Sequence, residues 1–259
     1  MEWARRADQG PFSSLGVVDR VVYDGYEPLA ALAAAAAVTR RVRLASMIVV
    51  GPIRSTALLA KQAASIDALS DGRLTLGLSI GAHPDDYEAV GVDPGSRGRA
   101  FSAQLAELRA LWEGESIGPR PVQSDGPELL VGGTSGPAFL RMARHADGYV
   151  HGGGPPRAFV GAASKARAAW VDAGRPGEPR LWGQGYFTLG DPEAGADYLL
   201  DYYAFTGAFA QKIAAGNLTT PLAVRDFVRG YEEAGCDELV LFPTVSDPAE
   251  LDRLAEAIG

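Results

Sequence analysis

Apolar positions along this chain fall into short, nearly unbroken runs that alternate with longer stretches in which they recur every three to four residues. The runs occupy residues 14–18, 42–50, 74–80, 129–132, 148–151, 180–188 and 239–242. Each is too short for a buried helix and reads as a strand covered on both faces. The periodic stretches predict helices over 1–8, 28–40, 56–69, 97–112, 137–145, 156–173, 221–234 and 248–258, several of them opening on a proline, whose fixed φ suits the first turn. Strand and helix in strict alternation are the mark of parallel βα units, so the pattern predicts one α/β domain over residues 1–259, a TIM (β/α)8-type barrel. A closed barrel of this type needs eight strands. The pattern offers seven and opens on a helix, so the reading lacks the first strand. An edge left open there would expose unpaired backbone groups unless a loop or a partner chain covered it.

Two segments interrupt the alternation. Residues 115–128 are rich in Pro, Gly and Ser and predict a surface excursion. Residues 191–218 predict a helical insertion over one barrel mouth, carrying Tyr198, Tyr202, Tyr203, Phe205 and Phe209. That aromatic stripe suits core or dimer surface on one reading and a substrate lid on another. The run LSDGRLTLGLSIGAHPDDYEAVG, residues 69–91, joins a helix end, a tight turn, a strand and a glycine-lined loop. Gly77 and Gly81 there either relieve crowding inside the barrel or let a ligand approach the backbone.

Composition narrows the function classes. A net charge of -8 disfavours nucleic acid and anionic membrane as partners. The single cysteine, Cys236, excludes an intrachain disulfide and fits a reducing, cytoplasmic setting, where it reads as a small buried apolar residue. The alanine-rich run 30–37 is too short to span a bilayer, and no signal peptide or lipidation motif is visible.

Working residues of a (β/α) barrel stand at the C-terminal ends of its strands. The strand list therefore nominates Asp19, Arg20 and Tyr23, then Gly51, Pro52 and Arg54, then Gly81, His83, Asp85 and Asp86, followed by Gly133, Thr134 and Ser135, His151, and Gln184, Tyr186 and Thr244. The run VGGTSGP, residues 131–137, sets glycines and hydroxyls before a helix start, which suits either a bound phosphate or an ordinary helix cap. Arg97, with Arg99 as its competitor, supplies a cation nearby. Asp85 and Asp86 read as a solvated loop or helix start, and His145 as structural. His151, at a strand end, is the better proton-transfer candidate. No nucleophile elbow, P-loop or metal-ligand pattern appears, and no metal is expected. With so few reactive side chains, a cofactor has to carry the hard chemistry.

The segments YDGYEPLAALAAAAAVTRRVRLAS, LLAKQAASIDALSDGRLTLGLSIG, DDYEAVG, the Arg97 helix ending LRALW, LLVGGTSGPAFLRMARHADGYV and, more weakly, EEAGCDELVLFP resemble, in order, the luciferase-like flavin- or deazaflavin-dependent monooxygenases and oxidoreductases. The resemblance implies a TIM barrel holding FMN, or alternatively coenzyme F-420, at the C-terminal mouth. It also implies a small organic substrate, O2 with reduced FMN, often a homodimer, and a separate flavin reductase as electron source. Carried over by position, it places a bulge beneath the ring, often a non-proline cis peptide, at Ser46, Met47 and Ile48. Phosphate contacts fall on Gly81, Ala82, Arg97, Gly132, Gly133, Thr134 and Ser135. Many relatives carry a histidine where this chain reads Val18-Asp19-Arg20, so Asp19, Arg20 and His151 are the candidates for catalytic roles. Hydride transfer to deazaflavin and flavin binding without catalysis are the alternatives.

Overall fold

The structure, a computed structural model, describes residues 1–114 and 116–259. Seven parallel strands line up in chain order: β1 (Ser14–Val17), β2 (Arg43–Val50), β3 (Leu74–Ser79), β4 (Glu128–Gly132), β5 (Gly148–Val150), β6 (Arg180–Phe187) and β7 (Glu238–Pro243). Between them run α1 (Glu2–Gln9), α2 (Pro28–Val38), α3 (Thr56–Ser70), α4 (Pro84–Ala89), α5 (Arg97–Glu113), α6 (Gly136–His145), α7 (Pro156–Asp172), α8 (Pro192–Tyr202), α9 (Phe209–Ala214), α10 (Pro221–Glu233) and α11 (Ala249–Ile258). The sheet curls into a nearly closed, TIM-like barrel. Every predicted strand is present with its ends within two residues, the usual scatter of element boundaries. The predicted insertion divides into α8, a single 3-10 turn at Ala204–Thr206, and α9. The predicted excursion 115–128 begins on Glu115, which lies outside the described residues. Its later part is pinned by buried Asp67 of α3, whose carboxylate accepts the Val122 amide at 2.8 Å and the Gln123 side-chain amide at 2.6 Å.

Period-two alternation sorts the strand side chains into two cores. Ala45, Met47, Leu130, Val150, Trp182 and Val240, joined by Ile48 and Phe242, form one buried cluster inside the barrel. Leu44, Leu76, Leu129, Val131, Tyr149 and Leu181, one residue out of phase, pack instead against helix residues such as Leu32, Leu59, Phe101, Leu105, Phe139 and Phe159. At the N-terminal end of the strands polar groups close the floor. The hydroxyls of Ser13 and Ser14 donate to Glu238 at 2.5 and 2.6 Å, and Thr75 donates to Glu128 at 2.7 Å. Those serine bonds bridge β1 to β7, yet no backbone ladder joins the two strands among the described residues. A seam therefore runs along the barrel wall.

Candidate functional site

The mouth is built on the end of β2. Its register with β3 shifts between Ser46 and Val49, and the Met47–Ile48 peptide within that bulge is cis. Ser46, fully buried, donates its hydroxyl to the Gly77 carbonyl at 2.9 Å. Two glycines make room for this segment. A methyl group on Gly77 would overlap the Ser46 carbonyl oxygen, and one on Gly132 would overlap Ile48 Cδ1. Here the glycines serve close backbone approach.

Three features beyond the C-terminal ends of β3 and β4 suit an anion. Gly81, at φ +68°, turns the chain out of β3, with Val50 Cγ1 2.8 Å from where its Cβ would stand. Ala82 beside it is exposed. Arg97 opens α5, half-buried, 6.0 Å from the Tyr87 ring, with no carboxylate partner among the described residues. Gly133, at φ +128°, then leads through exposed Thr134 and Ser135 into α6, and the Ser135 hydroxyl makes no capping bond to that helix. Arg141 of α6 donates to the Gly98 carbonyl and the Ser102 hydroxyl of α5, each at 2.9 Å, so α6 packs against the first turns of α5. A guanidinium on one of these packed helices, with a glycine turn and unused hydroxyls leading into the other, is a donor set that suits a phosphate monoester. Arg99 is exposed on α5 and lacks any such aromatic rest.

Asp19 and Arg20 stand at the mouth but are heavily engaged. The Asp19 carboxylate, its side chain 1% exposed, accepts two bonds from Arg54 at 2.6 and 3.0 Å and one from the Val50 amide at 2.8 Å. Arg54 also reaches Glu27 at 3.1 Å. Asp19 thus clamps the end of β1 to the end of β2. Arg20 donates to Asp86 at 2.8 Å and to Asp85 at 2.7 Å, and its guanidinium lies 5.6 and 5.5 Å from the rings of Tyr23 and Tyr202. The reading of both aspartates as solvated is corrected for Asp86. It starts a helix as expected, but it is 1% exposed and also accepts the amides of Val21 and Val22. Its carboxylate satisfies both loop amides, which is why it is buried rather than hydrated.

The insertion covers this edge of the mouth. Tyr23 donates to Asp201 of α8 at 2.8 Å, and burial together with that bond pushes its phenol up to about 12. His83 packs against Tyr202 and against Phe205, the latter with ring centroids 3.9 Å apart, and burial with the nearby Arg20 charge lowers its pKa. Tyr186 of β6 shares a 2.5 Å hydroxyl contact with Tyr203. His151 lies elsewhere. Its ring sits between Tyr149 and Phe159, on the layer facing α7, 6% exposed, with neither nitrogen hydrogen-bonded. Burial is the leading cause that lowers its pKa. The structure thus sets Ser46, Met47 and Ile48 in the β2 bulge against Gly77 and Gly132, Gly81 and Ala82 at the exit of β3, Arg97 at the start of α5 and Gly133 to Ser135 ahead of α6, with Asp19 and Arg20 at the mouth and His151 in the outer layer. Sequence reasoning had no signal for the Arg54 clamp or for the His83–Phe205 contact, since both are long-range pairings of ordinary loop residues. No group of metal-ligating side chains is assembled among the described residues, and none of their helices is long and apolar enough to cross a membrane.

The family model described as luciferase-like monooxygenase matches residues 1–235. An uncharacterized protein of Mycobacterium tuberculosis is 32% identical over 189 residues, which is 59% of this chain and 65% of the relative. The chain thus spans less than two thirds of that relative's length. In fold, it is similar to a coenzyme-F-420-dependent secondary alcohol dehydrogenase in complex with an F-420–acetone adduct (17% identity, TM-score 0.80, covering 100% of this chain and 94% of that one). It is similar also to the oxygenating constituent of 3,6-diketocamphane monooxygenase from Pseudomonas putida, in complex with FMN (17% identity, TM-score 0.76, covering 98% and 89%).

Proposed function

The chain belongs to the luciferase-like monooxygenase family, and from that premise we propose that its barrel mouth binds reduced FMN and that the protein is a flavin-dependent oxidoreductase that oxygenates a small organic substrate with O2. The observation that carries this reading is the Arg97 guanidinium at the start of α5, without a carboxylate partner among the described residues, together with the uncapped start of α6, the helix packed against α5. Arg97, the backbone amides after Gly133, and the Thr134 and Ser135 hydroxyls hold the phosphate; Gly81 and Ala82 shape the loop that passes it. The Ser46–Ile48 bulge supports the flat ring from below. Bound flavin supplies the redox chemistry. The protein's own residues position it and keep water out: the tyrosines of the insertion close over the mouth, and Asp19 with Arg54 fixes the loop that frames it. Asp19 and Arg20, both in ion pairs, act on this reading as positioning residues, not as proton carriers. A homodimer, a cytoplasmic setting and a separate flavin reductase as electron donor complete the proposal.

Coenzyme F-420 also carries a phosphate on its side arm, so affinity decides between the two. Titrating purified protein with FMN, reduced FMN and coenzyme F-420 tests the reading. Micromolar or tighter binding of reduced FMN, followed by substrate-dependent O2 uptake, supports it. Exclusive binding of coenzyme F-420 replaces oxygenation by hydride transfer, and millimolar affinity for all three overturns cofactor binding altogether.

A further inference from the structure

Arg20 commits all three of its nitrogens at the edge of the mouth. Nε and Nη2 donate to Asp86 and Asp85, and Nη1 points at Nε2 of His83 from 3.5 Å. A guanidinium has no lone pair to offer, so Nε2 can only be the accepting nitrogen of that ring. In a neutral imidazole the other nitrogen, Nδ1, then carries the proton. Burial and the Arg20 charge both lower the His83 pKa, the direction that keeps the ring neutral. Only Asp86 and Asp85, each already bonded to Arg20, oppose them. Nδ1 itself has no partner among the described residues, and it is not sealed from solvent as both nitrogens of His151 are. The insertion holds the ring still, with Phe205 against it and Tyr202 meeting it edge-on at 5.5 Å. His83 stands at the exit of β3 beside Ala82, so its N–H belongs to the mouth, unlike His145 in the last turn of α6 and His151 in the outer layer.

On the flavin reading of that mouth, we propose that the Nδ1–H of His83 is the hydrogen-bond donor of the substrate pocket and that the group it takes is a neutral carbonyl oxygen of the organic substrate. The charges decide the group. A carboxylate or phosphate would face Asp85 and Asp86 with Arg20 already paired to both. An ammonium would find no acceptor at Nδ1 and would meet the Arg20 charge. An alcohol would accept the bond but bring an O–H that needs a further partner. A carbonyl oxygen needs a donor and nothing else. The bond orients the carbonyl and draws electron density from its carbon, and no proton leaves His83.

The probes are acetophenone and cyclohexanone, each 13C-labelled at the carbonyl, added to the whole protein loaded with oxidised FMN. Each should bind saturably, with its carbonyl stretch at lower wavenumber than in hexane. His83→Leu should weaken binding about 3- to 10-fold and return the band toward its hexane position. His83→Asn, whose side-chain N–H can stand where Nδ1–H stands, should keep both. Benzoate and cyclohexanol, the matched anion and alcohol, should bind more weakly than their ketones. FMN affinity should be the same in native and variant proteins. The proposal is overturned if neither ketone binds, if His83→Leu leaves affinity and band unchanged, if His83→Asn fails as His83→Leu does, or if benzoate or cyclohexanol binds as tightly as its ketone. FMN titration separates the two failures: native protein that holds FMN but shows one of these results loses the His83 assignment alone, whereas native protein without FMN affinity loses both.

Discussion

Gly132 lies directly under Ile48: a methyl group there would overlap Ile48 Cδ1, so the end of β4 and the bulge of β2 meet only because residue 132 has no side chain. Gly132→Ala forces one of the two to move, at a cost of about 1–3 kcal/mol for overpacking. If the bulge is the support for a ring, flavin affinity falls by more than stability does. Thermal unfolding and flavin titration of the same variant check this; a variant that melts early yet binds flavin normally would show that the contact is purely structural.

Asp19 and Arg54 form a buried, two-bond ion pair at the mouth. Asp19→Ala leaves the Arg54 charge and the Val50 amide without their main acceptor, and breaking such a pair costs about 3–5 kcal/mol. Asp19→Asn keeps an acceptor for Val50, while Arg54 retains Glu27, so its loss should be smaller. Chemical denaturation of both variants measures the difference. Equal, negligible losses would mean the clamp does not hold the mouth.

Burial lowers the pKa of His151 below its ordinary value of 6.5. Above that value the ring is neutral in both folded and unfolded chains. Below it the unfolded chain takes up the proton first, so stability declines as pH falls from 6.5 toward the lowered folded value. His83 and His145 shift in the same direction, for the same leading reason. The melting temperature should therefore drop between about pH 7 and pH 5.5. His151→Phe, which suits the contacts to Tyr149 and Phe159, should flatten part of that slope. An unchanged slope would show that His151 protonates freely in the fold.

Cys236 donates its thiol to the Glu238 carbonyl at 3.1 Å, and burial pushes its pKa up to about 12. Alkylation by iodoacetamide near pH 8 should be slow in the native protein and fast in denaturant, because the thiolate is the reacting form. Rapid native labelling, followed by mass spectrometry, would contradict this placement.

The architecture was legible in the sequence because period and length decide strand against helix with little help from distant residues. Leu74 to Ser79 reads as a two-faced strand on its own, and it is one. The glycines before α6 marked a helix start for the same local reason. What sequence could not convey was partnership across the barrel. Nothing in Val18-Asp19-Arg20 indicates that Asp19 will meet Arg54, or that Arg20 will meet Asp86, 66 positions away. His151 ends a strand, as the pattern says, but whether an end residue faces the mouth or the helix layer depends on strand phase. Val150 takes the inward position and leaves His151 against Phe159.

The central claim is that Arg97 and the start of α6 hold a phosphate. Its most direct test is the affinity of FMN and of riboflavin, which lacks the phosphate, for the native protein and for Arg97→Ala. Loss of one charge-assisted bond should weaken FMN binding by about 1–3 kcal/mol, roughly 5- to 150-fold, and leave riboflavin binding unchanged. Equal FMN affinity for both proteins, or an equal loss for riboflavin, would contradict it.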